Sequence, residues 1–169
     1  MDVLFENRFS RTREVAKDMY SHHFFKSKSA VFAYVFFSLC LILQLVLGLY
    51  THKFGYFIIT AAIVFFVFAF RIFCYYNSVK LMFKRDMECF GKEAEIVVFV
   101  KEECIEYGTI GAVPNKLFYS NIKFAYETKN LILIRSTARL LYILKKDSFI
   151  KGSAKEFEEF LRSKGIKVK

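Results

Sequence analysis

Residues 30–50 read AVFAYVFFSLCLILQLVLGLY, an unbroken run of 21 residues without a charged side chain. As an α-helix with about 1.5 Å of rise per residue, this run is about 31 Å long and matches a membrane hydrocarbon core of about 30 Å. Gln44 is its only strongly polar residue. The run is too long for the apolar region of a cleaved signal peptide, which has about 7–15 residues. It therefore predicts a helix that spans a membrane.

A second apolar run follows after three residues. Residues 54–70 read FGYFIITAAIVFFVFAF, and the apolar character continues past Arg71 to Tyr76. Because a long arginine side chain can extend its charge to the lipid headgroups, Arg71 does not have to end the span. The alternative is a pair of core helices in a soluble protein, but the rest of the chain is too short to cover both on all sides. We predict a membrane hairpin over residues 30–76, with spans at about 30–50 and 54–76.

The chain has 26 Lys and Arg against 16 Asp and Glu, and eleven of the basic residues lie in the segments directly before and after the hairpin. Lys53 alone lies in the turn between the spans. Because cytoplasmic flanks are enriched in Lys and Arg, both termini are predicted to be cytoplasmic. The flanking residues are Arg8, Arg11, Arg13, Lys17, Lys26 and Lys28 on one side and Arg71, Lys80, Lys84, Arg85 and Lys92 on the other.

The residues after the hairpin change to a strand pattern. Runs of β-branched and aromatic residues between turns predict strands. These lie at residues 95–100, 104–107, 116–119, 122–127, 131–135 and 139–144. Ser153 and Glu156 have the spacing of a capping box and begin an amphipathic helix that ends at Gly165. Antiparallel strands followed by one C-terminal helix are the layout of a pleckstrin-homology-like (PH-like) domain. The predicted fold is thus a membrane α-helical hairpin plus an α+β cytoplasmic domain, a PH-like antiparallel β-meander or barrel with a C-terminal helix.

The chain is predicted to have four segments. Ser10 or Thr12 can cap a helix that runs to about Phe25, after a short N-terminal strand. Gly91 is suited to end the helix that continues from the second span. The segments are a cytoplasmic strand and helix over 1–29, the two-span hairpin over 30–76, a helical stalk over 77–93 and the PH-like domain over 94–169.

Four stretches of residues 94–164 stand out, namely YSNI at 119–122, AYETKNLILI at 125–134, ILKKDSF at 143–149 and EFEEFL at 156–161. With these stretches, and with its order of a hydrophilic N-terminus, two spans, a basic stalk and a strand-and-helix tail, the chain resembles the bacterial YcxB-like proteins. The resemblance implies a bacterial plasma-membrane protein with a PH-like cytoplasmic domain, and it transfers no catalytic residues.

Neither catalytic chemistry nor a cofactor is predicted. The cysteines form no C-x-x-C pair, and the cytoplasm does not favour disulfides. Adjacent His22 and His23 would point about 100° apart on a helix, so they are poor ligands for one metal ion. The chain lacks a G-x-S-x-G nucleophile motif and a phosphate-binding G-x-x-x-x-G-K motif, so we predict that it is not an enzyme.

The basic residues are the remaining candidates for a site. Near a membrane surface each Lys or Arg attracts anionic lipid with about 1 kcal/mol. The alternative is that those beside the hairpin only set its topology. The candidates are Lys26, Lys28, Arg71, Lys80, Lys84 and Arg85 beside the hairpin, with Lys145, Lys146 and Lys151 in the PH-like domain.

Two functions fit these observations. The first is a non-enzymatic PH-like binding module, held at the cytoplasmic face by the lipid bilayer, that binds a protein partner or an anionic lipid headgroup. The alternative is a small membrane immunity or stress-response protein, whose spans act against a toxin or bacteriocin at the bilayer. A homo-oligomer is left open in both. Nucleic acid is not an expected partner, because no basic and aromatic recognition motif occurs.

Overall fold

A computed structural model describes residues 2–169, apart from the side chain of His23. The chain forms two compact units. The hairpin unit is Tyr20–Leu81, and the sheet unit joins the N-terminal segment up to Met19 with Met82–Lys169. The two units are described separately below.

The hairpin unit contains two long apolar helices. Helix α2 covers Lys28–Thr51 and helix α3 covers Gly55–Phe90, so the second span and the stalk form one continuous helix whose last residues belong to the sheet unit. The rings of Tyr34 and Phe68 stack with centroids 5.2 Å apart and hold the helices together. The predicted helical hairpin is confirmed.

Local signals set the ends of the hairpin helices. A π-helical turn at His22–Lys26 precedes α2, and the Ser27 hydroxyl caps α2 by accepting a hydrogen bond from the Ala30 amide at 3.3 Å. His52 ends α2 with a φ of 53°, in the left-handed region. Gly91 follows α3 with a φ of 65°, as a helix-ending glycine should.

The sheet unit contains eight strands and two helices. The strands are β1 Phe5–Ser10, β2 Glu95–Val100, β3 Cys104–Thr109, β4 Asn115–Phe118, β5 Ile122–Glu127, β6 Leu131–Ser136, β7 Leu141–Lys145 and β8 Phe149–Lys151. The helices are α1 at Arg13–Ser21, whose last residues lie in the hairpin unit, and α4 at Ala154–Ser163.

The strands form two antiparallel sheets. The first has the order β4-β3-β2-β1-β8 and the second the order β5-β6-β7. A 3-10 turn at Tyr119–Asn121 interrupts the ladder between β4 and β5, and β5 is instead bridged by Ala125 to Val168. Consequently no closed barrel forms among residues 2–169. The antiparallel strands and the C-terminal helix are confirmed, and the barrel form of the prediction is wrong.

Strand β1 lies inside the first sheet, although the chain places it before the hairpin. It pairs with β2 from Phe5 opposite Val100 to Ser10 opposite Glu95, and with β8 on its other side. The hairpin is therefore an insertion between two neighbouring strands. The sequence assigned neither this pairing nor strand β8.

Helix α4 covers the core of the sheet unit. Phe157 and Leu161 have no exposed surface, and the Phe157 ring lies 5.6 Å from that of Phe5. The Ser153 hydroxyl accepts from the Glu156 amide at 3.3 Å, the predicted cap, and donates to the Glu156 carboxylate at 2.9 Å. The helix is thus capped and anchored where the sequence placed it.

Candidate functional site

The hairpin exposes its apolar side chains. Phe65 is 76% exposed and Phe32 is 71% exposed. Only 6% of the most apolar 18-residue window of each helix is buried, whereas the core helix of a soluble protein is mostly buried. Helices α2 and α3 are long and apolar enough to cross a membrane, and their exposure argues against the core-helix alternative.

Four predicted basic residues lie in the hairpin unit. Lys26, Lys28 and Lys80 are exposed, while Arg71 is half-buried. The Arg71 Nε donates to the Phe24 carbonyl at 2.5 Å, and its guanidinium lies 5.8 Å from the centre of the Tyr34 ring. These two contacts fix the Arg71 side chain between the π-helical turn and α2.

A groove of about 350 Å³ opens beside Arg71. Ser27 and Ser29 line it, with hydroxyl oxygens 3.2 Å apart, and so do the apolar side chains of Val67 and Phe70. The groove therefore combines a guanidinium and two hydroxyls with an apolar wall. The sequence indicated Arg71 but not the serines, because only the bend at Ser27 brings them close to it.

The predicted lysines of the sheet unit are engaged within that unit. Lys145 lies 3.2 Å from Asp147, Lys146 lies 2.6 Å from Glu127, and Lys151 donates to the Val3 carbonyl. The hydrogen bond from Lys146 holds the pKa of Glu127 below its usual value. These lysines form structural contacts.

The last two predicted residues belong to the end of α3. Lys84 lies 3.6 Å from Glu88, one turn further along the helix, and both are exposed. Arg85 is exposed as well. Whether any of the nine basic residues contacts lipid stays a prediction.

A second groove, of about 340 Å³, lies on the outer face of the five-stranded sheet. Val97 and Phe99 form its floor, opposite Arg8 and Glu6 of β1 in the strand register. The last two residues of β3 and the loop after them, with Ile110 and Pro114, form the other wall.

Gly108 lets the loop pack closely against this wall. A Cβ atom there would lie 3.0 Å from the Pro114 Cα, a tight contact that would move the loop by a few tenths of an ångström. The sequence showed Gly108 and Pro114 only as an irregular stretch. Their packing could not be predicted, because it depends on how the loop folds back over β3.

Buried polar residues join distant parts of the sheet unit. Arg11 binds Asp86 through both its Nε, at 2.9 Å, and an Nη, and Asp86 is 3% exposed. The Asn7 side chain donates to the Lys145 carbonyl at 2.8 Å and accepts from the Lys145 amide at 3.2 Å. Asn7 thereby links β1 of one sheet to β7 of the other.

Tyr107 lies in the electrostatic environment of Arg11 and Asp86. Burial raises its pKa to about 12, so it is protonated at neutral pH. The Asp86 carboxylate is held by two hydrogen bonds from a guanidinium, an arrangement that neutralises a buried acid. This cluster therefore pairs a buried acid with a counter-charge inside the sheet unit. The sequence alone does not indicate it, because Arg11 and Asp86 lie 75 residues apart.

Metal ligands and thiols offer no further site in the part of the chain that the structure describes. Among those residues, no group of three or more His, Cys, Asp or Glu could hold a metal ion. The four cysteines are free thiols, of which Cys104 is buried and Cys89 exposed.

Comparison with known proteins identifies a family for most of the chain. The model of the family described as "Protein of unknown function (DUF4052)" matches residues 11–156, which include both hairpin helices and strands β2 to β8. No curated protein and no solved structure matches the chain. The likeness to YcxB-like proteins stays a prediction. By the extent of the family match, the chain belongs to the DUF4052 family.

Proposed function

We propose that this protein is a non-enzymatic binding module of the bacterial plasma membrane, anchored by the hairpin and carrying a cytoplasmic PH-like domain of YcxB-like type that binds a protein partner. The observation that carries the proposal is the opposite burial of apolar residues in the two units. The hairpin helices have 6% of their most apolar windows buried, whereas Leu131, Ile132, Leu133 and Ile134 of β6 have no exposed surface. A lipid environment satisfies the first unit, and water suits the second.

A protein partner suits the outer groove of the sheet unit better than a lipid headgroup. Lys145, Lys146 and Lys151 are engaged within the unit, which leaves them less available to phosphate. The groove instead offers an apolar floor of Val97 and Phe99, with Arg8 and Glu6 beside them on the neighbouring strand as one cation and one anion. This composition resembles a protein interface, with an apolar centre and a polar rim.

Cysteine labelling of intact cells tests the anchor and its orientation. The test uses two chains that each keep a single cysteine. In the first, His52→Cys should react with a membrane-impermeant maleimide added outside intact cells. The natural Cys89, exposed near the end of α3, should react only after the cells are opened. Equal labelling of both positions in intact cells would contradict the proposed topology.

Site-specific photocross-linking tests the groove in the full chain. A photoreactive residue at Ile110, on the groove wall, should form a discrete adduct with a protein in native membranes, and Val97→Asp should abolish it. The matched control is the same photoreactive residue at Ile150, which is 63% exposed outside the groove. An adduct that survives Val97→Asp, or that forms equally from position 150, would overturn the assignment of the groove. An adduct with lipid alone would favour the headgroup function instead.

A further inference from the structure

We infer that the groove beside Arg71 is a binding site for one anionic phospholipid, whose phosphate contacts Arg71 and the Ser27 and Ser29 hydroxyls while an acyl chain lies on Val67 and Phe70. The inference rests on the proposed insertion of the hairpin into a bilayer. The groove would give the hairpin a specific lipid-binding site in addition to its role as a membrane anchor.

The hairpin unit has no acidic side chain of its own to pair with its cations. Residues 20–81 contain five cations and no Asp or Glu. One of the five, Lys53, lies in the turn, and the other four are Lys26, Lys28, Arg71 and Lys80. The carboxylates that accompany a cation in a protein interior are thus lacking in this unit. In a bilayer the available counter-charge is the phosphate of a lipid, which favours an anionic lipid over a zwitterionic one.

The position of Arg71 along α3 suits a headgroup contact. Arg71 lies 16 residues after Gly55, where α3 begins, so it is about 24 Å along the helix. The hydrocarbon core is about 30 Å thick, which places Arg71 close to the boundary opposite the turn. A cation at this depth reaches phosphate without crossing the apolar interior.

The contacts of Arg71 leave its guanidinium suited to phosphate. Its Nε is engaged by the Phe24 carbonyl, and Tyr34 lies beside the guanidinium at 5.8 Å, so the group is oriented before any ligand binds. The remaining Nη donors match the geometry of phosphate oxygens, which an arginine binds with two parallel hydrogen bonds. Preorganised donors lose little side-chain entropy on binding.

The other walls of the groove complete the match. The Ser27 and Ser29 hydroxyls lie within hydrogen-bond distance of each other, so one donates to the other and the second proton is available to a phosphate oxygen. Val67 is 38% exposed and Phe70 is 58% exposed, which leaves apolar surface for an acyl chain. A free phosphate ion would use only the polar half, so the site favours a lipid.

Native mass spectrometry of the full-length protein from detergent tests the site, with dioleoyl phosphatidylglycerol and dioleoyl phosphatidylcholine as probes. We expect wild type to retain one phosphatidylglycerol and to bind it more tightly than phosphatidylcholine. Arg71→Gln should weaken phosphatidylglycerol binding at least tenfold, as expected for the loss of hydrogen bonds from a charged donor. Inorganic phosphate should not displace the lipid.

Two further variants make the test decisive. Lys53→Gln removes the same charge at the opposite end of the hairpin and should change binding less than twofold. Ser29→Leu fills the groove without changing charge and without removing either partner of the Arg71–Phe24 hydrogen bond, and it should weaken binding at least fivefold. Equal effects of Arg71→Gln and Lys53→Gln, or no effect of Ser29→Leu, would overturn the site. Equal labelling of positions 52 and 89 in intact cells would instead overturn the membrane anchor on which the site rests.

Discussion

The hairpin unit and the sheet unit use the same residue types in opposite ways. Phe65 of α3 is 76% exposed, whereas Phe157 of α4 has no exposed surface. Apolar side chains stabilise a fold only when they are removed from water, by packing or by lipid. The difference teaches that the 55% of hydrophobic residues in this chain are divided between two environments, a packed core and a surface that lipid can cover.

Truncation of Phe157 should have the largest effect and tests the packed side of this comparison. Its ring contacts Phe5 at 5.6 Å and Phe149 at 5.9 Å. Phe157→Ala leaves a cavity at a fully buried position, so we expect a loss of about 3–5 kcal/mol in the free energy of unfolding of the sheet unit. Urea titration of the full chain in detergent measures it. Phe65→Ala is the control and should change this value by less than about 0.5 kcal/mol.

A charge in the middle of α3 should have the next largest effect. Phe65 lies 10 residues after Gly55, about 15 Å along the helix and so near the centre of a span. An aspartate there costs about 2.5–3.5 kcal/mol on insertion, so Phe65→Asp should reduce the fraction of chain that resists alkaline extraction from membranes. Val113→Asp, at a 91% exposed loop position of the sheet unit, should leave that fraction unchanged. If both variants stay in the membrane equally, the exposed face of α3 does not contact lipid.

The elements with strong local signals could be predicted from the sequence. The predicted strand at 95–100 is β2, Glu95–Val100, because its alternating burial follows directly from alternating side chains. The hairpin follows from uncharged length, and α4 from its cap at Ser153. In each case the information lies within a short stretch of chain.

The long-range features could not be predicted in this way. The pairing of β1 with β2 joins Phe5 to Val100 across the inserted hairpin, and no local pattern specifies that register. The three-residue β8 has two exposed residues and lacks an alternating pattern, so it gave no signal. The outer groove depends on how Pro114 packs over Gly108. The proposed phospholipid site depends on a bend of the chain that brings Ser29 near Arg71.

Replacing Asn7 tests whether a buried polar side chain of the sheet unit contributes more to stability than an exposed one of α3. The Asn7 side chain satisfies both the amide and the carbonyl of Lys145, and it is fully buried. Asn7→Leu keeps the volume but leaves these two backbone groups without that partner, so we expect a loss of about 1–3 kcal/mol in unfolding free energy. Asn77→Leu, at an exposed position of α3, is the matched control and should have little effect. An equal and small effect of both would show that the two sheets are not joined through Asn7.

The smallest expected effect depends on pH and again separates the two units. Glu158 of α4 has a raised pKa because burial, and then the hydrogen bond and negative charge of Glu127, disfavour its ionised form. A carboxyl group whose pKa is raised by folding lowers stability as the pH rises above the unfolded value of about 4.3, and has no such effect well below that value. Glu158→Gln should therefore stabilise the sheet unit at pH 7 by less than about 1 kcal/mol, and not at pH 4.

Urea titrations of the full chain at both pH values, with the exposed Glu159→Gln as control, measure the difference. Residues 20–81 contain no Asp or Glu, so no carboxyl side chain of the hairpin contributes to this difference. A gain that is equal at both pH values would mean that the Glu127–Glu158 contact does not control it.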